Sequence, residues 1–136
     1  MLAAVTLSSA LTGCMLPTAP APVSSNLLVD YYRSGGFTNF DDHLTVEIDG
    51  AVRLTRHKQS YVDVLTPEQL QQLQHALVDV DFSALKRAYR PDQQGADLIE
   101  YRISYAGYTV RVMDTAIPDS LQSLLDLLND TIEQIQ

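Results

Sequence analysis

The side chains in this sequence that could do chemistry are one cysteine, three histidines and a few neighbouring acids. The histidines are His43, His57 and His75. Their spacing matches no metal-ligand signature, and although a fold could still gather them, we expect them to be exposed to solvent. Ser34-Gly35-Gly36 lacks the lysine and the helix of a phosphate loop, and the sequence has no Gly-x-Ser-x-Gly motif. The sequence therefore predicts no metal, no cofactor and no enzyme.

The chain is acidic, with a formal net charge of −8. Its nine basic residues are scattered, which argues against a nucleic-acid partner, because phosphate contacts need clustered Lys and Arg. The acidic neighbours Asp41-Asp42, and Asp79 with Asp81, could pair as acid and base or bind calcium, but neither group has the ligand number of a calcium loop. We expect turn and cap roles for them, since Asp stabilises turns through hydrogen bonds to nearby backbone.

Cys14, the only cysteine, follows an apolar stretch at the start of the chain. Residues 1–11 are too short a run to cross a bilayer but suit the core of a signal peptide. Leu11-Thr12-Gly13-Cys14 resembles the lipobox of bacterial lipoproteins, in which the cysteine thiol receives diacylglycerol. We therefore expect residues 1–13 to be a lipoprotein signal peptide and Cys14 to be lipidated; the alternative is a buried segment with Cys14 as a core thiol. A signal peptide normally opens with Lys or Arg, so we expect the true start codon upstream.

Residues 14–26 contain Pro17, Pro20 and Pro22 among small residues. Prolines at this density disfavour a helix or a sheet and predict an extended spacer between a membrane and a domain. The residue after Cys14 is Met15 rather than Asp, which in the lipoproteins that this chain resembles implies the outer membrane. The expected location is therefore the cell envelope, lipid-anchored, at the outer rather than the inner membrane.

From Leu27 the pattern changes to that of a folded domain, residues 27–136. Alternating apolar and polar residues predict strands at residues 27–33, 44–48, 52–54, 99–105 and 108–112. Asp49-Gly50 and Ala106-Gly107 predict hairpin turns. The segments 56–64 and 86–96 are less regular, and we expect the second to be a loop.

Two helices are expected after these strand segments. Thr66, Pro67 and Gln69 form a capping box with proline at the first helical position, which predicts a helix over residues 67–79. Apolar residues at helical spacing predict a second helix over residues 118–135. The expected fold class is α+β: an antiparallel sheet of about four to five strands with both helices on one face, in the order β-β-β-α-β-β-α.

Several short motifs in the domain together resemble one family. The motifs are Arg33-Ser34-Gly35-Gly36-Phe37, Leu65 with Pro67, Asp81-Phe82-x-x-Leu85, Asp97-x-x-x-Tyr101, Thr109-Val110-Arg111-Val112 and Ile117-Pro118-x-x-Leu121-x-x-Leu124-Leu125. They are similar to the emfourin family, small proteins named for an inhibitor of protealysin, a thermolysin-like zinc metallopeptidase. Cys14 and the extra residues 56–64 depart from the typical family pattern.

The resemblance implies a non-catalytic domain that presents a surface loop to a peptidase cleft. The partner-binding residues would then be Arg33, Ser34, Gly35, Gly36, Phe37 and Phe40. Thermolysin-like clefts accept a bulky apolar side chain, so Phe37 or Phe40 would enter the cleft. The alternative is that Phe37 fills the domain's own core while the glycines turn the chain.

Two functions follow from these observations. The first is a membrane-anchored lipoprotein, monomeric, whose domain binds and inhibits a thermolysin-like metallopeptidase. The second is a non-catalytic envelope lipoprotein that acts as a scaffold or adaptor for other envelope proteins.

Overall fold

The computed structural model describes residues 26–93, 95 and 97–135, which form a seven-stranded mixed sheet with two helices on one face. The strands are β1 Leu27–Gly35, β2 Phe40–Glu47, β3 Ala51–Arg56, β4 Gln59–Val64, β5 Ala88–Tyr89, β6 Ile99–Tyr105 and β7 Tyr108–Met113. The helices are α1 Pro67–Asp79 and α2 Asp119–Gln134. The expected α+β class with two helices is confirmed. The predicted signal peptide and Cys14 lie outside the described residues.

The sheet has the strand order β4-β3-β2-β1-β6-β7-β5. The first four strands form successive antiparallel hairpins, and β1 also pairs antiparallel with β6 on its other side. Tyr31 on β1 thus lies between Leu44 on β2 and Ile103 on β6. Because β1 pairs with β2 on one side and with β6 on the other, the loop that follows β1 starts from a strand that is bonded on both sides.

Alternation along the strands separates a buried face from an uncovered one. The side chains of Val29, Tyr31, Leu44 and Ile103 are fully buried beneath the helices. Their neighbours along each strand point to the opposite face, which we call the open face because no helix of the described residues covers it. The core therefore lies on one side of the sheet, between the strands and both helices.

The two helices follow the predicted patterns closely. At the start of α1, the Gln69 backbone N–H donates to Thr66 Oγ1 over 3.2 Å, and the Thr66 N–H donates to Gln69 Oε1 over 2.9 Å. The capping box satisfies N–H groups that the first turn leaves without helical partners. The inward side chains of α2 are Leu121, Leu124, Leu125, Leu128 and Ile132, and all are buried.

The prediction of four to five strands was too low because two strands gave weak signals. Residues 59–64 form β4, joined to β3 by a turn at His57 and Lys58, whose φ angles are 45° and 70°. A two-residue hairpin turn usually carries Gly or Asn at such positive φ angles, so this one had no recognisable motif.

The other missed strand is β5, in the segment expected to be a loop. It consists of Ala88 and Tyr89, which pair in parallel with Arg111 and Val112. This pair makes the sheet mixed rather than purely antiparallel. Two residues are too few to show any periodicity, so only the packing of the segment against β7 reveals the strand.

Candidate partner-binding loop

The connection between β1 and β2 is a tight loop of residues 36–39, which we call the Phe37 loop. Gly35 and Gly36 precede the turn with φ angles of +87° and +73°. A Cβ atom on Gly35 would lie 2.8 Å from the Leu98 carbonyl oxygen, and one on Gly36 would lie 2.8 Å from Ile99 Cγ1. Both positions therefore exclude a side chain, by conformation and by space.

Backbone hydrogen bonds hold both ends of the Phe37 loop. The Gly36 N–H donates to the Leu98 carbonyl over 3.2 Å, and the Asn39 N–H donates to the Gly36 carbonyl over 3.0 Å. Gly35 also pairs with Phe40 on one side and with Ile99 on the other. The loop thus extends from a fixed base, which lowers the entropy cost of ordering it in a complex.

Phe37 points into solvent, with 89% of its surface exposed. The alternative in which Phe37 fills the domain core does not hold, since that role belongs to residues such as Phe82, which is 4% exposed. Among the large apolar side chains of the described residues that are exposed, Phe37 has the highest exposed fraction.

Arg33 and Phe40 lie inward, beneath the loop. The Arg33 side chain is 7% exposed, and its Nη2 atom lies 2.7 Å from Asp42 Oδ2 and 2.8 Å from Glu133 Oε1 on α2. The Arg33 Cζ atom stacks 4.0 Å from the centre of the Phe40 ring. These two residues therefore support the loop, and Arg33 has little surface left for a partner.

Asp42 is the hub of this buried ion network. One carboxylate oxygen accepts Nε and Nη2 of Arg33, and the other accepts Nε of Arg56 over 2.8 Å. Burial alone would lower the pKa of Arg33, but its hydrogen bonds with Glu133 and Asp42 outweigh that effect and raise it. The network joins β1, β2, β3 and α2 close to the base of the Phe37 loop.

The structure therefore divides the six predicted partner-binding residues into two groups. Phe37 is the exposed tip, and Ser34 is also exposed. Gly35 and Gly36 shape the turn against residues 98–99, while Arg33 and Phe40 form a support beneath it. Phe37 and Ser34 are therefore exposed, whereas Gly35, Gly36 and Phe40 are half-buried and Arg33 is buried.

Sequence reasoning assigned Asp42 to a turn and missed its place in the core. The signal was in the alternation itself, because the inward rows Tyr31-Arg33, Leu44-Asp42 and Leu54-Arg56 each end on a charge. Two arginines and one aspartate that point inward on neighbouring strands predict a buried ion pair. In contrast, Asp81 has the expected cap role: it accepts a hydrogen bond from the Ser83 hydroxyl, which lowers the pKa of Asp81.

The histidines are dispersed over the domain. His57 and His75 are exposed, while His43 is half-buried on the open face, where its ring stacks 3.8 Å from that of Tyr32 and its Nε2 lies 3.1 Å from Asp30 Oδ1. Within the described residues, no three His, Cys, Asp or Glu side chains come together as a metal site.

A cavity lined by Phe82, Arg87 and Tyr108 among others lies beside β7 and has a volume of about 490 Å³. Arg87 is its one charged lining residue, so it contains no acid and base pair. Neither helix described in the structure is long and apolar enough to cross a membrane.

The family model described as Emfourin matches residues 31–129, which include the Phe37 loop, Arg33, Asp42 and Arg56 of the ion network, and most of α2. No curated protein matches the chain. The family match covers most of the chain and nearly the whole described domain. This protein therefore belongs to the Emfourin family.

Proposed function

We propose that this protein is a membrane-anchored lipoprotein whose domain binds and inhibits a thermolysin-like metallopeptidase through the Phe37 loop. Membership of the Emfourin family supports the inhibitory role. The observation that carries the proposed site is Phe37, a large apolar side chain 89% exposed at the tip of a braced loop.

The inhibitory contact follows from the chemistry of the loop. Moving the Phe37 ring from water into an apolar subsite would contribute about 1.5–3 kcal/mol to binding. The hydrogen bonds at Gly36 and Asn39 and the Arg33 support beneath Phe40 keep the loop in one shape before binding. Little conformational entropy is then lost on association, which is how a small contact can still bind tightly.

The position of the Phe37 loop suits an anchored inhibitor. β1 starts at Leu27, where the tether would enter the domain, and ends at Gly35, next to the loop. Its nine residues span about 30 Å. An anchor on Cys14 would therefore attach to the domain at the end of β1 opposite to the Phe37 loop.

The second candidate function is an envelope scaffold or adaptor without a peptidase target. The open face favours this alternative, because it carries aromatic and charged side chains uncovered by the described helices. In its centre the Arg102 Cζ atom lies 3.8 Å from the Tyr32 ring, which in turn stacks on His43. Such ordered Tyr and Arg side chains are frequent at protein interfaces.

The inhibitory role is tested by titrating residues 24–136 against a panel of thermolysin-like peptidases. We expect competitive inhibition of at least one of them at micromolar concentration or below. If every peptidase keeps its activity, the inhibitory proposal fails and the scaffold alternative gains weight.

The anchor is tested separately in bacteria that express the full-length protein from its own gene. Labelled palmitate should enter the wild-type protein but not a Cys14→Ser variant, and the wild type should fractionate with the outer membrane. A wild-type protein that takes up no label would rule out lipidation while leaving the inhibition result unaffected.

A further inference from the structure

The two edges of the sheet differ in how well they are protected. At one edge, β5 is only two residues long, which is one of the usual ways to blunt a sheet edge. At the other edge lies β4, with six residues, paired to β3 on one side only. No described residue pairs with its outer side. The long edge is therefore the one open to another strand.

The geometry of the β3–β4 hairpin shows which backbone groups face outward. In a hairpin closed by a two-residue turn, the flanking pair, here Arg56 and Gln59, exchanges hydrogen bonds. Bonded and non-bonded pairs then alternate, so the N–H and C=O groups of Ser60, Val62 and Val64 point away from β3. The Val64 N–H agrees with this direction, because it donates to its neighbouring Asp63 Oδ1 over 2.8 Å rather than to β3.

The side chains of this edge do little to repel another strand. Val62 is 75% exposed and Val64 is 67% exposed. β4 contains no Lys, no Pro and no bulge, which are common protections of edge strands, and its single charge is Asp63. An exposed, regular and nearly uncharged edge of this kind is a template for strand pairing.

We propose that β4 pairs antiparallel with β4 of a second copy of this chain, about a two-fold axis at Val62. Val62 then exchanges both backbone hydrogen bonds with Val62 of the other copy, and Ser60 faces Val64. On the other face Tyr61 lies opposite Asp63, so no like charges meet. The two sheets join into one, in place of the monomer expected from the sequence.

Other registers of the same pairing are less favourable. Moving the axis by one residue to Asp63 would place the two Asp63 carboxylates opposite each other, which is destabilising. With the axis at Tyr61, the outward N–H and C=O groups of Val64 would find no partner in β4 of the other copy. Only the axis at Val62 pairs all three outward residues and keeps the charges apart. This self-complementarity is the reason for assigning the edge to a second copy.

The pairing leaves both Phe37 loops free, at opposite ends of the joined sheet, because antiparallel strands reverse one copy. The interface is small, so the dimer should be weak and should form by mass action at high local concentration. Since each copy is acidic, added salt should strengthen it.

The test is a disulfide trap in the full chain. Cα atoms of a hydrogen-bonded antiparallel pair lie about 5.5 Å apart, within the range that a disulfide spans. Val62→Cys should therefore form a covalent dimer on mild oxidation. Val78→Cys, which replaces a valine of similar exposure on α1, is the matched control and should stay at background. Cys14 is present in both variants, so any cross-link through it appears in both.

A second measurement uses sedimentation of the full chain over about three decades of concentration. The average mass of the wild type should rise toward that of a dimer, and Val62→Lys should lose this rise while Val78→Lys keeps it. Circular dichroism confirms that each variant is folded. A wild type that stays monomeric throughout, or equal cross-linking of the Val62→Cys and Val78→Cys variants, would overturn the proposal.

Discussion

Phe37 and Phe40 show how two identical side chains, close in sequence, take different roles. Phe40 lies on the Arg33 guanidinium, whose charge is neutralised by Asp42 and Glu133. Phe37 projects into solvent. The first phenylalanine stabilises the base of the loop, and the second is free to contact another protein.

The first prediction at the residue scale concerns Phe37→Ala. Because the ring contacts solvent, its loss should leave the free energy of unfolding within about 0.5 kcal/mol of the wild type. Inhibition should weaken by about 10- to 100-fold, the equivalent of burying one phenylalanine side chain. Inhibition constants and urea unfolding measure the two effects.

The matched control for this change is Val78→Ala, an exposed valine on α1. It should alter neither inhibition nor stability. If Phe37→Ala inhibits as well as the wild type, the loop is not the contact, whatever the family role of the domain.

A second residue-scale prediction concerns alkaline stability. The Tyr31 hydroxyl donates to Asn129 Oδ1 over 2.9 Å, and burial raises the pKa of Tyr31 far above its ordinary value. Above a pH of about 10 the unfolded chain loses this proton while the folded protein keeps it, so stability should fall by about 1.4 kcal/mol per pH unit for this group.

Tyr31→Phe removes that dependence. At neutral pH the variant should be less stable by about 1 kcal/mol, because the bond to Asn129 is lost. Above a pH of about 10 the difference in the free energy of unfolding should shrink. Only the wild type has a buried tyrosine that must keep its proton in the folded state. Urea unfolding at several pH values checks this, and stability curves that stay parallel would contradict it.

At the scale of elements, Gly35 at the end of β1 can be compared with Gly107 in the turn between β6 and β7. Gly35 and Gly107 both have positive φ angles, +87° and +84°. A Cβ atom on Gly35 meets the Leu98 carbonyl oxygen at 2.8 Å, whereas one on Gly107 meets nothing within 4 Å. The two positions therefore separate the conformational cost of a side chain from its steric cost.

We predict that Gly107→Ala lowers the free energy of unfolding by about 1 kcal/mol, the cost of a left-handed backbone alone. Gly35→Ala should cost clearly more, because the Leu98 backbone must also move. Denaturant midpoints of the two variants measure the difference. Equal losses would mean that the contact with Leu98 carries no energetic weight.

At the scale of the whole molecule, the ion network ties the central strands to α2. The hub, Asp42, has a side chain 1% exposed and bonds to two arginines. Arg33 extends the network to Glu133, near the end of α2. One carboxylate thus links segments that are far apart in the chain.

Asp42→Ala should therefore destabilise the protein by about 3 kcal/mol, since the buried Arg33 keeps only the exposed Glu133 as a counterion and Arg56 loses its bond to the carboxylate. The neighbouring Asp41→Ala is the control, because Asp41 is exposed and should change stability by less than about 0.5 kcal/mol. Urea unfolding of both variants decides the matter, and a small loss for Asp42→Ala would show that the network is not needed for stability.

The features that depend on short-range patterns could be predicted from the amino-acid sequence. The capping box at Thr66 and Gln69 specifies the start of α1, and the apolar spacing of α2 specifies its buried side, because both are properties of one helix. The hairpin turns at Asp49-Gly50 and Ala106-Gly107 are equally local. The short motifs that extend over the domain from Arg33 to Leu125 were enough to predict the family.

Features that depend on residues distant in the chain could not be predicted and became evident in the folded domain. β5 exists because residues 88–89 meet β7, and Asp42 is a hub because β1, β2 and β3 bring two arginines to it. Whether Phe37 lay in the core or in solvent was undecided from sequence, since a phenylalanine beside two glycines suits either place. Its exposure is set by how the whole sheet and both helices fill the core, and no local pattern contains that information.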